Sequence, residues 1–168
     1  MAKYLRLFQG DTIEETSLPI SAGAPSAGRI PELDISGRLD MTMMPVGIGH
    51  DVIATLAGEA LSAGDFVYFD NTGRALRADA TTLAKAAQGY TNAGAAIGTA
   101  VNVFFDDSNT GVTSLNPGTF YFLSGTNPGK LVTSANLPTG TGKIVQRLGF
   151  AQSVNSLHAA IQTPILLA

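Results

Sequence analysis

The chain has no cysteine among its 168 residues, which excludes disulfide bonds and thiolate metal sites. It also has no tryptophan, and only 14% of its residues are charged. The net charge is −3 and the lysines and arginines do not cluster. Because duplex binding depends on cations that contact phosphates, we expect no nucleic-acid partner. Two histidines give little material for a zinc site, so no cofactor is expected.

Long apolar runs are absent as well. No segment approaches the length of about 18 apolar residues that a membrane helix needs, and the start of the chain lacks a basic region followed by an apolar one. We therefore expect a soluble protein that is made in the host cytoplasm and has no membrane contact.

Motifs for catalysis or ligand binding are weak. His50 and Asp51 are adjacent, so they would point to opposite faces of a strand, and no Gly-x-Ser-x-Gly elbow accompanies them. Residues 106–111 partly match a calcium loop, but Gly118 stands where the bidentate Glu belongs. Residues 139–143 lack the first Gly and the Ser/Thr of a phosphate loop. We expect no enzymatic activity.

A β-hairpin unit is written twice in the sequence. Residues 61–69 (LSAGDFVYF) match 115–123 (LNPGTFYFL), and a glycine-containing turn and a basic residue follow each copy. Gly-Tyr-Thr at 89–91 then corresponds to Gly-Phe-Ala at 149–151. Together with 19 glycines and 8 prolines, this repeat predicts an all-β domain with pseudo-twofold internal symmetry.

The predicted body covers residues 50–168. Its strand spacing and turns favour a small β-barrel or sandwich of two similar hairpin halves. Residues 81–87 form the one predicted short helix, capped by Asp79 or Thr81. His158 is predicted to be a partly buried strand residue, and the apolar tail 164–168 to close an edge or dock on a neighbour. The repeated aromatic residues are predicted to lie in the core: Phe66, Tyr68, Phe69, Phe120 and Phe122.

The predicted arm covers residues 1–49 and lacks the spaced core positions of a domain. Residues 4–8 look like a short strand, 21–28 are small and flexible, and 33–39 flank a Ser-Gly turn that predicts a small hairpin or hook. We therefore expect an extended N-terminal arm that is ordered by lying on a partner surface. An arm that folds back on its own body is the alternative.

The body resembles the capsid decoration (cement) and head-fibre proteins of tailed bacteriophages. The resemblance spans about residues 50–163 and is carried by GEALSAGDFVY at 58–68, GRA at 73–75, GY at 89–90, LNPGTFY at 115–121, PGKL at 128–131 and LGFA at 148–151. In addition, AGRIPELDISGRLD at 27–40, which runs on to Met44 and Pro45, is similar to a linker motif of phage fibres and appendages.

This resemblance implies a structural virion protein on the outer surface of the capsid. It would bind the major capsid protein, associate with itself as a homotrimer and cement adjacent capsomers through the arm. A head-fibre or appendage module that recognises a host-surface glycan is the alternative. The predicted capsid or subunit interface consists of the apolar residues of the arm: Tyr4, Leu5, Leu7, Phe8, Ile30, Leu33, Ile35, Leu39, Met43 and Met44.

Overall fold

The computed structural model describes residues 3–44 and 51–168, and the chain divides into two compact units, Met1–Gly49 and His50–Ala168. The all-β prediction is confirmed: the described residues form antiparallel sheets, and their helical pieces are 3-10 turns of three residues each. The helix predicted over 81–87 is therefore wrong. Only Leu83–Lys85 form such a turn, because the Asp79 carboxylate accepts the Thr81 backbone N–H in a tight local turn instead of capping a helix.

The first unit begins with a hairpin. Strand β1 (Lys3–Phe8) pairs antiparallel with β2 (Asp11–Thr16), where the prediction was an extended arm. Gln9 and Gly10 connect the strands with φ angles of 52° and 96°. Two consecutive positive φ angles are typical of the type I′ turn, whose twist matches that of a hairpin. The sequence Gln-Gly thus joins two strands that the residue pattern alone does not pair.

The second unit contains twelve short strands. In chain order they are β3 (Val52–Leu56), β4 (Phe66–Phe69), β5 (Ala75–Arg77), β6 (Gly89–Tyr90), β7 (Ala100–Phe104), β8 (Ser108–Asn109), β9 (Phe120–Leu123), β10 (Leu131–Val132), β11 (Ile144–Val145), β12 (Arg147–Ser153), β13 (Ser156–Ala159) and β14 (Ile165–Leu166). The apolar tail supplies β14, which pairs with β11 in a sheet of two strands.

The predicted repeat is a repeat of whole sheets. One five-stranded sheet has the order β3-β7-β6-β4-β5, and the other has the order β8-β13-β12-β9-β10. We call residues 52–104 module 1 and residues 108–159 module 2. The register also repeats, since Phe66 pairs with Tyr90 as Phe120 pairs with Phe150. Both hairpins predicted from the sequence, β4-β5 and β9-β10, are confirmed.

Equivalent glycines occupy one strand of each module, β6 in module 1 and β12 in module 2. A Cβ on Gly89 would lie 2.5 Å from the Val103 side chain, and a Cβ on Gly149 would lie 2.0 Å from the His158 carbonyl oxygen. Neither site has room for a side chain, because atoms of the neighbouring strand occupy the space. The repeated glycine therefore serves the same close strand packing in both modules.

The modules pack through unlike faces. In module 1, one face carries Phe66, Tyr90 and Phe104, which we call the inner ladder, and it packs in the main core with Tyr121, Leu123 and Leu157 from the opposite face of module 2. A twofold axis would bring identical faces together, so the predicted pseudo-twofold arrangement is wrong. The buried residues of this core are Phe66, Ala78, Ala80, Ala87, Tyr90, Val112, Leu115, Tyr121, Leu123, Ile144, Leu148, Ala151, Leu157 and Ala159.

A smaller second core lies on the other face of module 1. It comprises Ala57, Leu61, Val67, Ala75, Val101 and Val103. The strands described do not close into a barrel, which leaves two open sheets with β3, β5, β8 and β10 at their edges. One consequence is that the outward face of module 2 has no second layer among the described residues.

Candidate interaction surface

The β1-β2 hairpin has one apolar outward face. Leu5 and Leu7 point to the same side of β1, and 73% and 72% of their surfaces are exposed. Phe8 at the end of the strand is exposed as well. A hairpin that kept its leucines for its own packing would turn them inward, so this stripe is a surface available to a partner.

The other face of the hairpin holds a polar cluster around Glu15. The Tyr4 hydroxyl and the Arg6 guanidinium each donate to Glu15 Oε2 at 3.1 Å, and Arg29 Nε lies 3.0 Å from Glu15 Oε1. The hydrogen bond from Arg6, with help from Tyr4 and Arg29, holds the pKa of Glu15 below its usual value. Internal contacts of the first unit are thus largely polar, and its apolar groups face outward.

The segment after the hairpin is tied to residues 30–32. The Leu18 N–H donates to the Ile30 carbonyl at 2.9 Å, and the Glu32 N–H donates to the Leu18 carbonyl at 2.8 Å. The buried Ser17 hydroxyl donates to Glu32 Oε2 at 2.6 Å. These bonds give residues 17–32 a defined course although few apolar side chains are buried there.

The predicted hook at 33–39 is a tight turn without strands. The Asp34 N–H donates to the Arg38 carbonyl at 2.8 Å, and Asp34 Oδ1 accepts the Ser36 and Arg38 N–H groups. The turn between β4 and β5 is built the same way, because Asp70 makes the corresponding bonds to Thr72 and Arg74. The pattern Asp-x-Ser/Thr-Gly-Arg, present at both places in the sequence, is the signal that marks this turn.

The tip of this turn presents an isoleucine. Ile35 occupies the position of Asn71 in the second turn, and its side chain is fully exposed. The turn fixes its backbone, since Gly37 takes the left-handed conformation with φ of 75°. A large aliphatic side chain held on a rigid turn loses little entropy when it enters an apolar pocket of a partner.

The ten residues predicted for the interface divide into two groups. Tyr4 and Met43 are half-buried, and the Tyr4 hydroxyl also accepts the Ile30 N–H at 3.3 Å, so this tyrosine serves the first unit itself. The remaining eight are exposed: Leu5, Leu7, Phe8, Ile30, Leu33, Ile35, Leu39 and Met44.

Module 2 carries a second exposed group that lies outside the predicted interface. Phe120, Phe150 and His158 form a row across its sheet, which we call the outer ladder, with ring centroids 6.4 Å and 5.2 Å apart. The Arg147 guanidinium lies 4.8 Å above the Phe120 ring. Phe120 is 49% exposed, so the prediction that it lies in the core is wrong, whereas Phe66 is fully buried as predicted.

The reason is that a repeat conserves strand pairing and not the layer that covers it. A signal was present in the sequence, because module 2 has His158 and Arg147 at the positions where module 1 has Phe104 and Ala87. Charged and polar substitutions at two positions of one face indicate that this face meets solvent or a polar partner. The prediction that His158 is partly buried in a strand is confirmed.

The weak motifs have structural roles. Asn109 of the calcium-like segment is buried, and its amide donates to the Gly64 carbonyl at 3.1 Å. In the phosphate-loop-like segment, the Gly142 N–H donates to the Leu167 carbonyl at 2.9 Å, which fixes the loop to the tail. His50 lies outside the described residues, so the His50-Asp51 pair is not placed.

Within residues 3–44 and 51–168, no three His, Asp or Glu side chains come together as a metal site. The same part of the chain contains no helix long and apolar enough to cross a bilayer. No family model, curated protein or solved structure matches this chain.

Proposed function

We propose that the chain is a non-catalytic structural protein of a tailed-phage head. It binds the outer surface of the assembled capsid through the first unit, contacts the major capsid protein and cements adjacent capsomers. It does so as a homotrimer, without a cofactor. The proposal rests on the sequence resemblance described above and on the exposed apolar surface of the first unit.

The observation that carries the proposal is the orientation of the β1-β2 hairpin. Leu5 and Leu7 face outward, whereas the polar cluster around Glu15 faces inward. Covering a leucine side chain fully is worth about 1.5–3 kcal/mol. Two leucines and Ile35 thus give an affinity that is modest for one copy but large when an oligomer engages several capsid subunits at once.

The alternative is a head-fibre module that recognises a host-surface glycan. Exposed tyrosines around one pocket would favour this function. Tyr90 and Tyr121 are buried, and Tyr4 and Tyr68 are half-buried. The tyrosines therefore give the glycan proposal no platform, and capsid binding has the better support.

The test uses the full chain with the substitutions Leu5→Thr and Leu7→Thr together. Threonine keeps the β-strand propensity and removes most of the apolar surface. Binding to purified tailed-phage heads that lack this chain is measured by co-sedimentation. We expect the double variant to bind about 100-fold more weakly, from about 1.4 kcal/mol lost at each site.

The matched control is Leu83→Thr, which removes an exposed leucine of the second unit. It should bind heads as the unchanged chain does. Binding of the hairpin variant at full occupancy would contradict the arm-mediated mechanism. Specific retention on a glycan array by a chain that does not bind heads would support the alternative function.

A further inference from the structure

The outer ladder of module 2 is the counterpart of a surface that is buried in module 1. By strand register, Phe120 corresponds to Phe66, Phe150 to Tyr90, and His158 to Phe104. The inner ladder has its own ring contacts, 6.0 Å between Phe66 and Tyr90 and 5.7 Å between Tyr90 and Phe104. The same ring arrangement is thus covered by protein in one module and open in the other.

The covering layer of the inner ladder is the opposite face of module 2, together with the loop before β9. Val112 and Leu115 of that loop belong to the main core with Phe66 and Tyr90. The backbone bonds that join the modules have no symmetric counterparts. For instance, the Phe66 N–H donates to the Gly129 carbonyl at 2.9 Å, whereas no corresponding bond joins Phe120 to Gly73 among the described residues. The contact between the modules is therefore head-to-tail.

We propose that the outer ladder is a docking face for a second copy of this chain, which stacks on it as module 2 stacks on module 1. A head-to-tail contact leaves one unused surface at each end, and both are present in every copy. At one end is the outer ladder. At the other is the loop side of module 1, which corresponds to the loop side of module 2 that covers the inner ladder.

The loop side of module 1 has the same framework as its counterpart. The Leu61 N–H donates to the Ala95 carbonyl at 2.9 Å, just as the Leu115 N–H donates to the Val154 carbonyl at 2.9 Å. Around this framework module 1 exposes Ala60 and the aliphatic side chain of Ile97. A second copy thus offers an apolar surface, on a framework that already fits a ladder of this kind, to the exposed rings of Phe120 and Phe150.

The occupant is a second copy because the docking face continues an interface that the molecule already contains. Head-to-tail contacts form a ring when the rotation between copies closes, and they form open filaments when it does not. A ring of three copies would consist of six stacked modules. This contact lies in the second unit, and it stands whether or not the first unit binds capsids.

The first experiment measures mass by size-exclusion chromatography with light scattering, using the full chain. The unchanged protein should have the mass of a closed oligomer. The double variant Phe120→Thr/Phe150→Thr should elute as a 17.3 kDa monomer with an unchanged far-UV circular dichroism spectrum. The control Leu83→Thr should remain oligomeric. A monomeric unchanged chain, or a folded double variant that keeps the oligomer mass, would overturn the proposal.

The second experiment tests the head-to-tail geometry. Because the chain has no cysteine, an introduced thiol is unique. A double variant Phe120→Cys/Ala60→Cys, treated with a short bismaleimide, should give covalent multimers on a denaturing gel, and each single variant should stay monomeric. Efficient cross-linking of Phe120→Cys alone would show ladders that face each other, and would overturn the head-to-tail contact.

The two proposals fail separately. Loss of head binding in the Leu5/Leu7 variant, with the oligomer mass intact, tests the first unit alone. A monomeric Phe120/Phe150 variant that still binds heads weakly would support both proposals, since it would lose only the contribution of multiple copies. An oligomer that ignores heads would support self-association and contradict capsid binding.

Discussion

Gln146 binds the backbone of Ala87 as a neighbouring strand would. The Ala87 N–H donates to Gln146 Oε1 at 2.8 Å, and Gln146 Nε2 donates to the Ala87 carbonyl at 2.9 Å. Gln146 Nε2 also donates to the Gln162 carbonyl at 2.9 Å. Because Gln146 is buried and Ala87 lies in module 1, one side chain joins the two modules and the segment after β13.

We predict that Gln146→Leu destabilises the second unit strongly. Leucine has a similar volume but leaves the Ala87 N–H and two carbonyls without partners in the interior. Each buried unsatisfied group costs about 1–3 kcal/mol, so the free energy of unfolding should fall by about 3 kcal/mol or more. Urea unfolding followed by circular dichroism measures this change.

The matched control for Gln146 is Gln152→Leu. Gln152 is exposed and accepts hydrogen bonds from the Ser108 and Ser156 hydroxyls, which water can replace. Its substitution should change the free energy of unfolding by no more than about 0.5 kcal/mol. Equal effects at the two glutamines would mean that the bonds between the modules contribute little.

A second prediction concerns Gly64 and Gly111, whose backbones touch between the modules. A methyl group on Gly111 would lie 2.2 Å from the Gly64 nitrogen and 2.7 Å from the Ala63 carbonyl carbon. Since backbone atoms cannot move aside as a flexible side chain can, Gly111→Ala should lower the free energy of unfolding by about 1–3 kcal/mol. Thermal unfolding should show a smaller loss for Gly94→Ala, where the nearest atom is 3.3 Å away.

A third prediction concerns pH. Burial raises the pKa of Asp79, but the hydrogen bonds from Thr81 and Lys85 outweigh it and hold the pKa below its usual value. A carboxylate with a lowered pKa stabilises the fold above its pKa in the unfolded chain, near about 4. This contribution is lost as the pH falls through the lower pKa of the folded state.

The substitution Asp79→Asn removes that carboxylate. Between about pH 6 and pH 3, the free energy of unfolding should therefore fall less steeply in Asp79→Asn than in the unchanged chain. The measurement is a series of urea titrations at fixed ionic strength. Parallel slopes in the two proteins would show that Asp79 titrates alike in the folded and unfolded states.

The repeat made much of the second unit predictable. Turn glycines such as Gly73 and the equivalent pair Gly89 and Gly149 mark local geometry, and local geometry is what a sequence pattern records. Strand pairing within each module followed from them. The stacking of one module on the other did not, because burial depends on what covers a face, and Phe66 and Phe120 have the same local sequence environment.

The first unit was predictable in composition but not in shape. The apolar residues at 5, 7 and 35 were identified, and they are exposed. The hairpin was missed because its stability depends on a cluster that spans distant positions, Arg6, Glu15 and Arg29. An ion pair between residues 15 and 29 leaves no periodic trace in the sequence.

The last prediction follows from that cluster. Glu15→Gln keeps the size of the side chain but removes the charge that faces Arg6 and Arg29. Residues 17–32 should then be held less firmly to the hairpin, and Arg29 should become more accessible. Limited trypsin digestion with mass spectrometry should show cleavage after Arg29 several-fold faster than in the unchanged chain. Glu14→Gln is the control, because Glu14 is exposed and pairs with Lys3 across the hairpin. Equal rates in the two variants would mean that the Glu15 cluster does not order the first unit, and that its leucines are presented by other contacts.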